Sequence, residues 1–393
     1  MQRTITALKP LFHILLFVGF SLLPIPSINS QQNINPVSLK NPLQLWEKYI
    51  QYNVDSCKLL AIQLRASSSN NQKNAAIFHL VSGSYLTRIG MYEEALRHLS
   101  ISKSYFFQLQ DFELLSKIYN EIGIALHYSG NLTDAVSYYK SSIESGINSE
   151  NELAEILAEI NLAKLYITEG KYDPALNHVF HYISIARKHN KYEALSNAYA
   201  TLVDFYLTKE DISMALKYAK ELLYIAGKSN NLNISVLALT NQAILSFYNE
   251  EPQKALAIFQ QILSIRKAQN LPLKLAEAYF NLAGFYLEEN PIISKLYIDS
   301  AYTISKKNKL YTMEEDILLF KKDELKDSTA EQLIQKLKLK MKLEKESLLN
   351  VLKIKENTIP PSRPFAIAQL FIYLLVVLNI CLIAIALFKK LTN

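Results

Sequence analysis

Small residues recur along the middle of the chain with a fixed step of 40 residues. Alanines at this spacing each begin an apolar, helix-like segment: Ala95, Ala135, Ala175, Ala215 and Ala255. Twelve residues before each of them stands another, mostly small, residue: Gly83, Gly123, Ala163, Val203 and Ala243. Five residues before each of them stands Gly90, Gly130, Gly170, Glu210 or Glu250. A constant period predicts one structural unit repeated along the chain.

Each unit has the pattern of two helices joined by a short turn. In the third unit, Leu157, Ile160 and Leu165 recur with helical spacing, and Glu169-Gly170 ends the run. Pro174 then falls in the first turn of the next helix, where its missing N–H costs little. One helix pair cannot bury its apolar face alone, so the pattern predicts an all-α fold, an α-solenoid of stacked helix pairs.

The spacing of small, aromatic and alanine positions resembles the tetratricopeptide repeat. Asn161–Tyr166 and Asn281–Tyr286 match its first helix, and Gly170–Ala175 matches its turn and second helix. The usual period of that repeat is about 34 residues, so each pair here is longer by about one and a half helical turns. HEAT and armadillo repeats share a period near 40 residues, but they lack this Gly/Tyr/Ala spacing. The resemblance implies about six units over residues 76–314, after capping helices in 31–75.

Apolar segments flank the repeats on both sides. Residues 1–30 have the pattern of a secretory signal peptide, because Arg3 and Lys9 precede a short apolar run that Pro24 ends. Residues 365–388 carry no charge and are long enough to form a transmembrane helix. Residues 389–393 would then be a short cytoplasmic tail. The sequence therefore predicts a single-pass membrane protein.

The orientation across the membrane has two interpretations. A signal peptide places the repeats on the exported side, periplasmic or extracytoplasmic, and Lys389 and Lys390 inside, as the positive-inside rule favours. Lys353, Lys355 and Arg363 lie just before the span, and they would suit a tail-anchored protein with cytosolic repeats. We expect the exported orientation, because the N-terminal apolar run has no other evident use.

Residues 315–359 join the repeats to the span. Their first part is expected to be a closing helix, and their Lys- and Leu-rich second part a long helix. Ile334, Met341 and Leu348 are seven residues apart, which is typical of a coiled coil. Two interpretations stay open: an amphipathic spacer with a solvated Lys face, and a stalk that forms a homodimer.

The composition excludes several classes of function. Only 9 of the 393 residues are Gly, and no glycine-rich phosphate-binding motif is present. The net charge of +6 is mild and evenly spread, so no nucleic-acid partner is expected. His178 and His181 are three residues apart on a predicted helix, but no neighbouring carboxylate or Cys in the sequence completes a metal site. We expect no enzyme, no catalytic residue, no cofactor and no metal.

The remaining candidate site is the groove that the resemblance implies. In tetratricopeptide arrays the first helix of each unit lines an inner face. Mapped onto this chain, the candidate partner-binding residues are Lys117, Asn120, His127, Asn161, Lys164, Asn197, Asp204, Asn241, Phe247, Glu277 and Asn281, with Ile124, Leu157, Ile244 and Phe280 among them. Asn side chains can both donate to and accept from a peptide backbone, and they can also cap neighbouring turns. The mixed charges do not match a clamp for a terminal carboxylate.

The sequence therefore predicts a membrane-anchored, non-catalytic protein that binds a peptide or protein partner in its groove, as a scaffold or a sensor component of signalling. The order of segments resembles the exported sensor half of tetratricopeptide membrane regulators of Bacteroidota. Only five residues follow Phe388, so the output domain of those regulators is not expected here. The alternative is a cytosolic, tail-anchored adaptor for chaperones or for complex assembly at a membrane.

Overall fold

The computed structural model describes residues 41–52, 54–68, 71–269, 271–308 and 310–352. Over these ranges the regular structure is helical and contains no strand. The helices, in chain order, are α1 (Pro42–Tyr52), α2 (Val54–Ser67), α3 (Gln72–Arg88), α4 (Tyr92–Gln108), α5 (Phe112–Tyr128), α6 (Leu132–Asn148), α7 (Glu152–Glu155), α8 (Glu159–Thr168), α9 (Tyr172–Lys188), α10 (Tyr192–Thr208), α11 (Ile212–Ser229), α12 (Leu232–Tyr248), α13 (Pro252–Gln269), α14 (Pro272–Tyr286), α15 (Pro291–Lys307), α16 (Tyr311–Asp323) and α17 (Ala330–Leu352). The predicted all-α solenoid of repeated helix pairs is confirmed.

Six helix pairs follow one another from α3 to α15. The pairs are α3 with α4, α5 with α6, α7 and α8 with α9, α10 with α11, α12 with α13, and α14 with α15. The second helix of each pair also packs against the first helix of the next pair, for example α4 against α5 and α11 against α12. A continuous apolar core runs through the stack, and the five alanines of the repeat are fully buried in it. Stacking thus covers the face that a single pair would leave in water.

Local chemistry sets where the helices begin. Side chains of the residue before the helix accept a hydrogen bond from a backbone N–H of the first turn, which satisfies one of the free donors there. This cap is made by Asn71, Asp111, Asn131, Asn151, Asp211, Asn231 and Asn290. Pro272 and Pro291 occupy the first position of α14 and α15, where proline is tolerated.

The small residues of the repeat allow the two helices of a pair to approach closely. A Cβ atom added to Gly123 would lie 2.6 Å from Cδ1 of Tyr139, and one added to Gly83 would lie 2.6 Å from Cγ of Leu99. Such distances are shorter than van der Waals contact allows. The lack of a side chain on the first helix is thus what admits a large side chain of the second.

The third unit departs from the regular pattern, because its first helix is broken. The sequence predicts one helix through Leu157, but the structure has α7, a turn over residues 156–158, and then α8. The hydroxyl of Ser116 donates a hydrogen bond of 2.8 Å to the carbonyl oxygen of Ala154. Gly146 lies so close that an added Cβ would be 2.3 Å from the Cα of Glu155. A side chain of the second unit therefore bonds to a backbone carbonyl that would otherwise accept a hydrogen bond within a continuous helix.

The C-terminal part of the described chain folds back on the last unit. Met313 and Ile317 of α16 join a core cluster with Ala301. Ile334 and Leu337 of α17 are buried against Leu318 of α16. Ile334 and Met341, two residues of the predicted coiled-coil repeat, thus pack against the same chain. Leu339 and Leu343 are exposed to solvent.

Several predicted segments lie outside the described residues. These are the signal peptide of residues 1–30, the end of the stalk in 353–359, the transmembrane helix of 365–388 and the tail of 389–393. In the part of the chain that the structure describes, no helix is both long and apolar enough to cross a bilayer.

Candidate binding groove

The first helices of successive units lie side by side, so equivalent positions form rows along the array. α3 contacts α5, α8 contacts α10, and α10 contacts α12. We define the inner face as the positions six and three residues before the small residue of each first helix and one and four residues after it. In the second unit these positions are Lys117, Asn120, Ile124 and His127. The inner face thus carries the side chains that the repeat pattern assigns to a groove.

Most of the predicted groove residues are partly exposed in the structure. This holds for Lys117, Asn120, His127, Asn161, Lys164, Asn197, Asp204, Phe247, Glu277 and Asn281, and also for Ile124 and Leu157. Ile244 and Phe280 are buried and belong to the core. The partly exposed residues span five consecutive units.

Asn241 differs from the other predicted groove residues, because its side chain is only 1% exposed. Its Nδ2 donates to the carbonyl oxygen of Leu237, one turn earlier in the same helix, over 2.9 Å. Its Oδ1 is buried without a hydrogen-bond partner among the described residues. Asn241 therefore sits beneath the surface of the groove.

Two asparagines of neighbouring units bond to each other. Nδ2 of Asn161 in α8 donates to Oδ1 of Asn120 in α5 over 2.9 Å. These residues lie at nearly equivalent places in the second and third units, and both remain partly exposed. The pair fixes the direction of the two amides and leaves further donor and acceptor capacity on each of them.

Lys164 and Asp204 occupy the same inner-face position in the third and fourth units. Burial raises the pKa of the Asp204 carboxyl well above its usual value, and Lys164 lowers it by a smaller amount. Burial likewise lowers the pKa of Lys164, against a raising effect of Asp204. Oδ1 of Asp204 is enclosed and has no hydrogen-bond partner in the described part of the chain. A buried carboxyl oxygen at the centre of the candidate groove is therefore without a donor.

The electrostatic influence of this pair extends to both neighbouring units. Burial lowers the pKa of His127 in the second unit, and Lys164 lowers it further. Burial raises the pKa of Tyr248 in the fifth unit to about 12, with smaller raising effects of Glu210 and Asp204. The charges of Lys164 and Asp204 thus act on one ionisable group in each neighbouring unit.

At the N-terminal end of the groove, Lys117 is already paired. Its Nζ donates to Glu113 of the same helix over 2.7 Å and to Glu47 of α1 over 2.7 Å. Glu113 could be foreseen from its spacing of four residues along one helix. Glu47 could not, since it is 70 residues away in the sequence.

His178 and His181 meet carboxylates that the sequence did not reveal. The buried Glu159 of α8 accepts hydrogen bonds from Nδ1 of His178 and, at 3.0 Å, from Nδ1 of His181. Nε2 of His181 lies 3.5 Å from Oε1 of Glu155. No group of three or more His, Cys, Asp or Glu among the described residues has the arrangement of a metal site. The histidines instead tie α9 to α8.

Comparison with known proteins shows the fold but no family. No family model matches the chain, and no curated protein matches it. Similar solved structures include the apo form of RapI, at 16% identity and a TM-score of 0.51 over 78% of this chain and 86% of that one. The apo form of the quorum sensor NprR from B. thuringiensis has 14% identity and a TM-score of 0.51, over 77% and 83% of the chains. A Rap protein complexed with competence and sporulation factor has 17% identity and a TM-score of 0.52, over 79% and 87%.

At these identities the likeness is one of architecture. The neighbours are helical repeat proteins of the tetratricopeptide type, and this chain shares their arrangement of stacked helix pairs. The fold is therefore that of a tetratricopeptide-like solenoid, and the use of its groove has to be argued from its own residues.

Proposed function

We propose that this protein is a non-catalytic binding protein that holds an extended peptide segment of a partner along the inner face of the solenoid. The observation that carries the proposal is the enclosed, unpartnered Oδ1 of Asp204 beside Lys164 at the centre of the groove. A buried acceptor without a donor costs about 1–3 kcal/mol, so a ligand that reaches this atom and supplies the donor recovers part of that cost.

The neighbouring side chains indicate a peptide backbone as the ligand chemistry. A peptide group offers an N–H for Asp204 and a carbonyl oxygen for the Lys164 ammonium, with no net charge to desolvate. The Asn120–Asn161 pair, one unit earlier, has further donors and acceptors for the next peptide groups. Equivalent positions repeat with each unit, as an extended chain requires.

The solved neighbours support this use of the fold only by analogy. The Rap protein similar to this chain is complexed with competence and sporulation factor, and NprR is a quorum sensor. The solenoid architecture can thus accommodate a partner.

The proposal also includes the location of the protein in the cell. We propose an exported, single-pass protein, on the strength of the signal-like pattern in residues 1–30 and the uncharged apolar stretch of 365–388. In this setting it would serve as a scaffold or sensor component of signalling, as its resemblance to the sensor half of Bacteroidota regulators suggests, with a homodimer through the stalk as one way to act. The alternative is the cytosolic, tail-anchored adaptor, which residues Lys353, Lys355 and Arg363 favour.

The binding proposal is tested by affinity purification of the full-length protein from its native membranes. Asp204→Ala removes the central acceptor, and Glu144→Ala removes an exposed carboxylate on α6 as a matched control. We expect Asp204→Ala to reduce the recovered partner about tenfold, equivalent to about 1.4 kcal/mol, while Glu144→Ala leaves it unchanged. Thermal unfolding of Asp204→Ala and of the wild type, measured side by side, shows whether a lower recovery comes from lost binding or from lost folding. Equal partner recovery by all variants would contradict the proposal.

The orientation is tested separately, by adding protease to intact spheroplasts. Digestion of the repeats supports the exported orientation. Protection of the repeats until the cells are lysed supports the tail-anchored alternative and overturns the exported one.

A further inference from the structure

Helix α1 does not occupy the place that the repeat would give it. Shifting α4 back by one repeat period gives 52–68, which matches α2. Shifting α3 back by the same amount gives 32–48, whereas α1 is Pro42–Tyr52. α1 ends at Tyr52 and α2 begins at Val54, whereas the regular loops between helices have three residues. α1 is therefore not simply the first helix of one more unit.

The displaced helix covers the inner face of the first unit. Ile77 is 3% exposed, whereas the equivalent residues of the five following units are all partly exposed: Lys117, Leu157, Asn197, Leu237 and Glu277. The other three inner-face positions of the first unit, Leu80, Ser84 and Thr87, are also buried. α1 packs against α2 and α3, and its Trp46 and Ile50 are part of the core. All four inner-face positions of the first unit are thus buried, whereas each later unit leaves at least two of the four partly exposed.

One ion pair connects α1 to the second unit. Glu47 of α1 accepts a hydrogen bond of 2.7 Å from Nζ of Lys117, the first groove residue of the second unit. Trp46 next to it is buried, so an aromatic side chain and an adjacent carboxylate together hold the helix on the inner face. α1 engages the groove in the manner of a ligand.

The fit of α1 on this surface is incomplete. Nε1 of Trp46 and Oγ of Ser84 are both buried without a hydrogen-bond partner among the described residues. Each such group costs about 1–3 kcal/mol relative to its hydrated state. Release of α1 would let water reach Nε1 of Trp46, so the docked helix is held less tightly than its apolar contacts alone imply.

We propose that α1 is an exchangeable, intramolecular occupant of the inner face, and that the surface beneath it receives a short amphipathic helix of the partner with the same chemistry. That chemistry is an aromatic anchor followed by an acidic residue that reaches Lys117. The inference rests on the proposed function in one respect, that the partner uses this face. In the resting protein α1 closes the N-terminal end of the groove, and partner binding displaces it.

Trp46 is the only tryptophan in the chain, so its fluorescence reports the docking of α1 directly. In the purified full-length protein, Glu47→Lys should shift the emission to longer wavelength and increase quenching by acrylamide severalfold. Glu113→Gln is the matched control, because it removes the other carboxylate on the same lysine and should leave Trp46 protected. The double variant Glu47→Lys, Lys117→Glu should restore protection. Circular dichroism verifies that the solenoid stays folded in each variant.

The second measurement uses a synthetic, dye-labelled peptide of residues 42–52 as the probe. We expect this peptide to bind the full-length Glu47→Lys variant at least tenfold more tightly than the wild-type chain, whose own α1 competes. It should not bind the Lys117→Glu variant, whereas a peptide with Glu47→Lys should. Unchanged Trp46 emission in Glu47→Lys overturns the proposal, and so does an exposed Trp46 without peptide binding. Since neither readout involves Asp204, a failure here is distinct from a failure of the peptide-binding proposal.

Discussion

Arg88 donates two hydrogen bonds, of 3.1 and 3.0 Å, to the two carboxylate oxygens of Glu121. Arg88 ends α3 and Glu121 lies in the middle of α5, so the pair joins the first helices of two units. Both side chains are largely buried. A bidentate pair of this kind is directional, and it fixes the position of one unit relative to the next.

Removing one partner of this pair should be more harmful than removing both. Arg88→Met leaves the Glu121 carboxylate buried without its cation, and we expect a loss of about 3–5 kcal/mol in the free energy of unfolding. The double variant Arg88→Met, Glu121→Leu should recover most of it, because neither charge remains to be desolvated. Urea unfolding followed by circular dichroism measures both. A double variant no more stable than Arg88→Met would contradict this account.

Two glycines near helix ends should respond in opposite ways to substitution by alanine. A Cβ on Gly146 would lie 2.3 Å from the Cα of Glu155, and backbone cannot move aside as a side chain can. Gly146→Ala should therefore lower the melting temperature strongly. Gly227 in α11 has no atom within 4 Å of its added Cβ, so Gly227→Ala should stabilise by about 0.5–1 kcal/mol through helix propensity. The two variants differ only in their surroundings, and a similar effect of both would refute the packing argument.

The stability of the first unit should depend on pH through two buried histidines. Burial lowers the pKa of His79 to about 3 and that of His98 to about 4, from an ordinary 6.5. Their rings lie 5.0 Å apart, and Nδ1 of each is buried without a hydrogen-bond partner among the described residues. Between about pH 4 and 6.5 the unfolded chain binds more protons than the folded one. The free energy of unfolding therefore increases with pH up to about 6.5 and decreases as the pH is lowered from that value.

Thermal unfolding at a series of pH values from 4 to 8 measures this dependence. The double variant His79→Met, His98→Met should flatten the slope between about pH 4 and 6.5, because no proton is taken up at these positions. His181→Gln is the control, since His181 is partly in solvent and bonded to Glu159, and it should keep the slope. An unchanged slope in the double variant would assign the pH dependence to other groups.

The amide pair in the groove should matter more for binding than for stability. Asn161→Ala removes the hydrogen bond to Asn120, which is partly exposed, and we expect a loss of about 1 kcal/mol or less in stability. Partner recovery in the affinity purification should fall severalfold, because the Asn161 amide is removed and the Asn120 amide loses its fixed direction. Asn197→Ala removes a groove asparagine of the next unit and distinguishes the contribution of the pair from that of asparagine in general.

The regular part of the fold could be predicted because it depends on neighbours in the sequence. Spacing of alanine, glycine and aromatic residues specifies helix, turn and close approach within a single helix pair. The broken helix of the third unit could not be predicted, since it depends on Ser116 reaching Ala154 in another unit. The burial of Asn241 has the same origin, because the repeat pattern gives its register but not the depth of the neighbouring helices.

The groove residues show the same division. Sequence register placed Lys164 and Asp204 at one position of successive units, and the structure adds that the Asp204 Oδ1 is enclosed and has no donor. The contact between Glu47 and Lys117 could not be predicted from the repeat pattern, because α1 does not lie at the position that the 40-residue period gives. Contacts between distant segments, rather than helix formation, limit what this sequence reveals.

From α3 to α13, each loop between successive half-units contains one left-handed residue. These residues, with positive φ, are Gly90, Gln110, Gly130, Glu150, Gly170, Asn190, Glu210, Asn230 and Glu250. Since these half-units all end in the same way, they repeat at equal intervals along the chain. An internal duplication or deletion of one whole unit preserves the alternation of inner and outer helices, whereas one of half a unit exchanges them. The length of the partner segment that such a protein can bind would therefore change during evolution by one whole unit at a time, without change to the remaining groove.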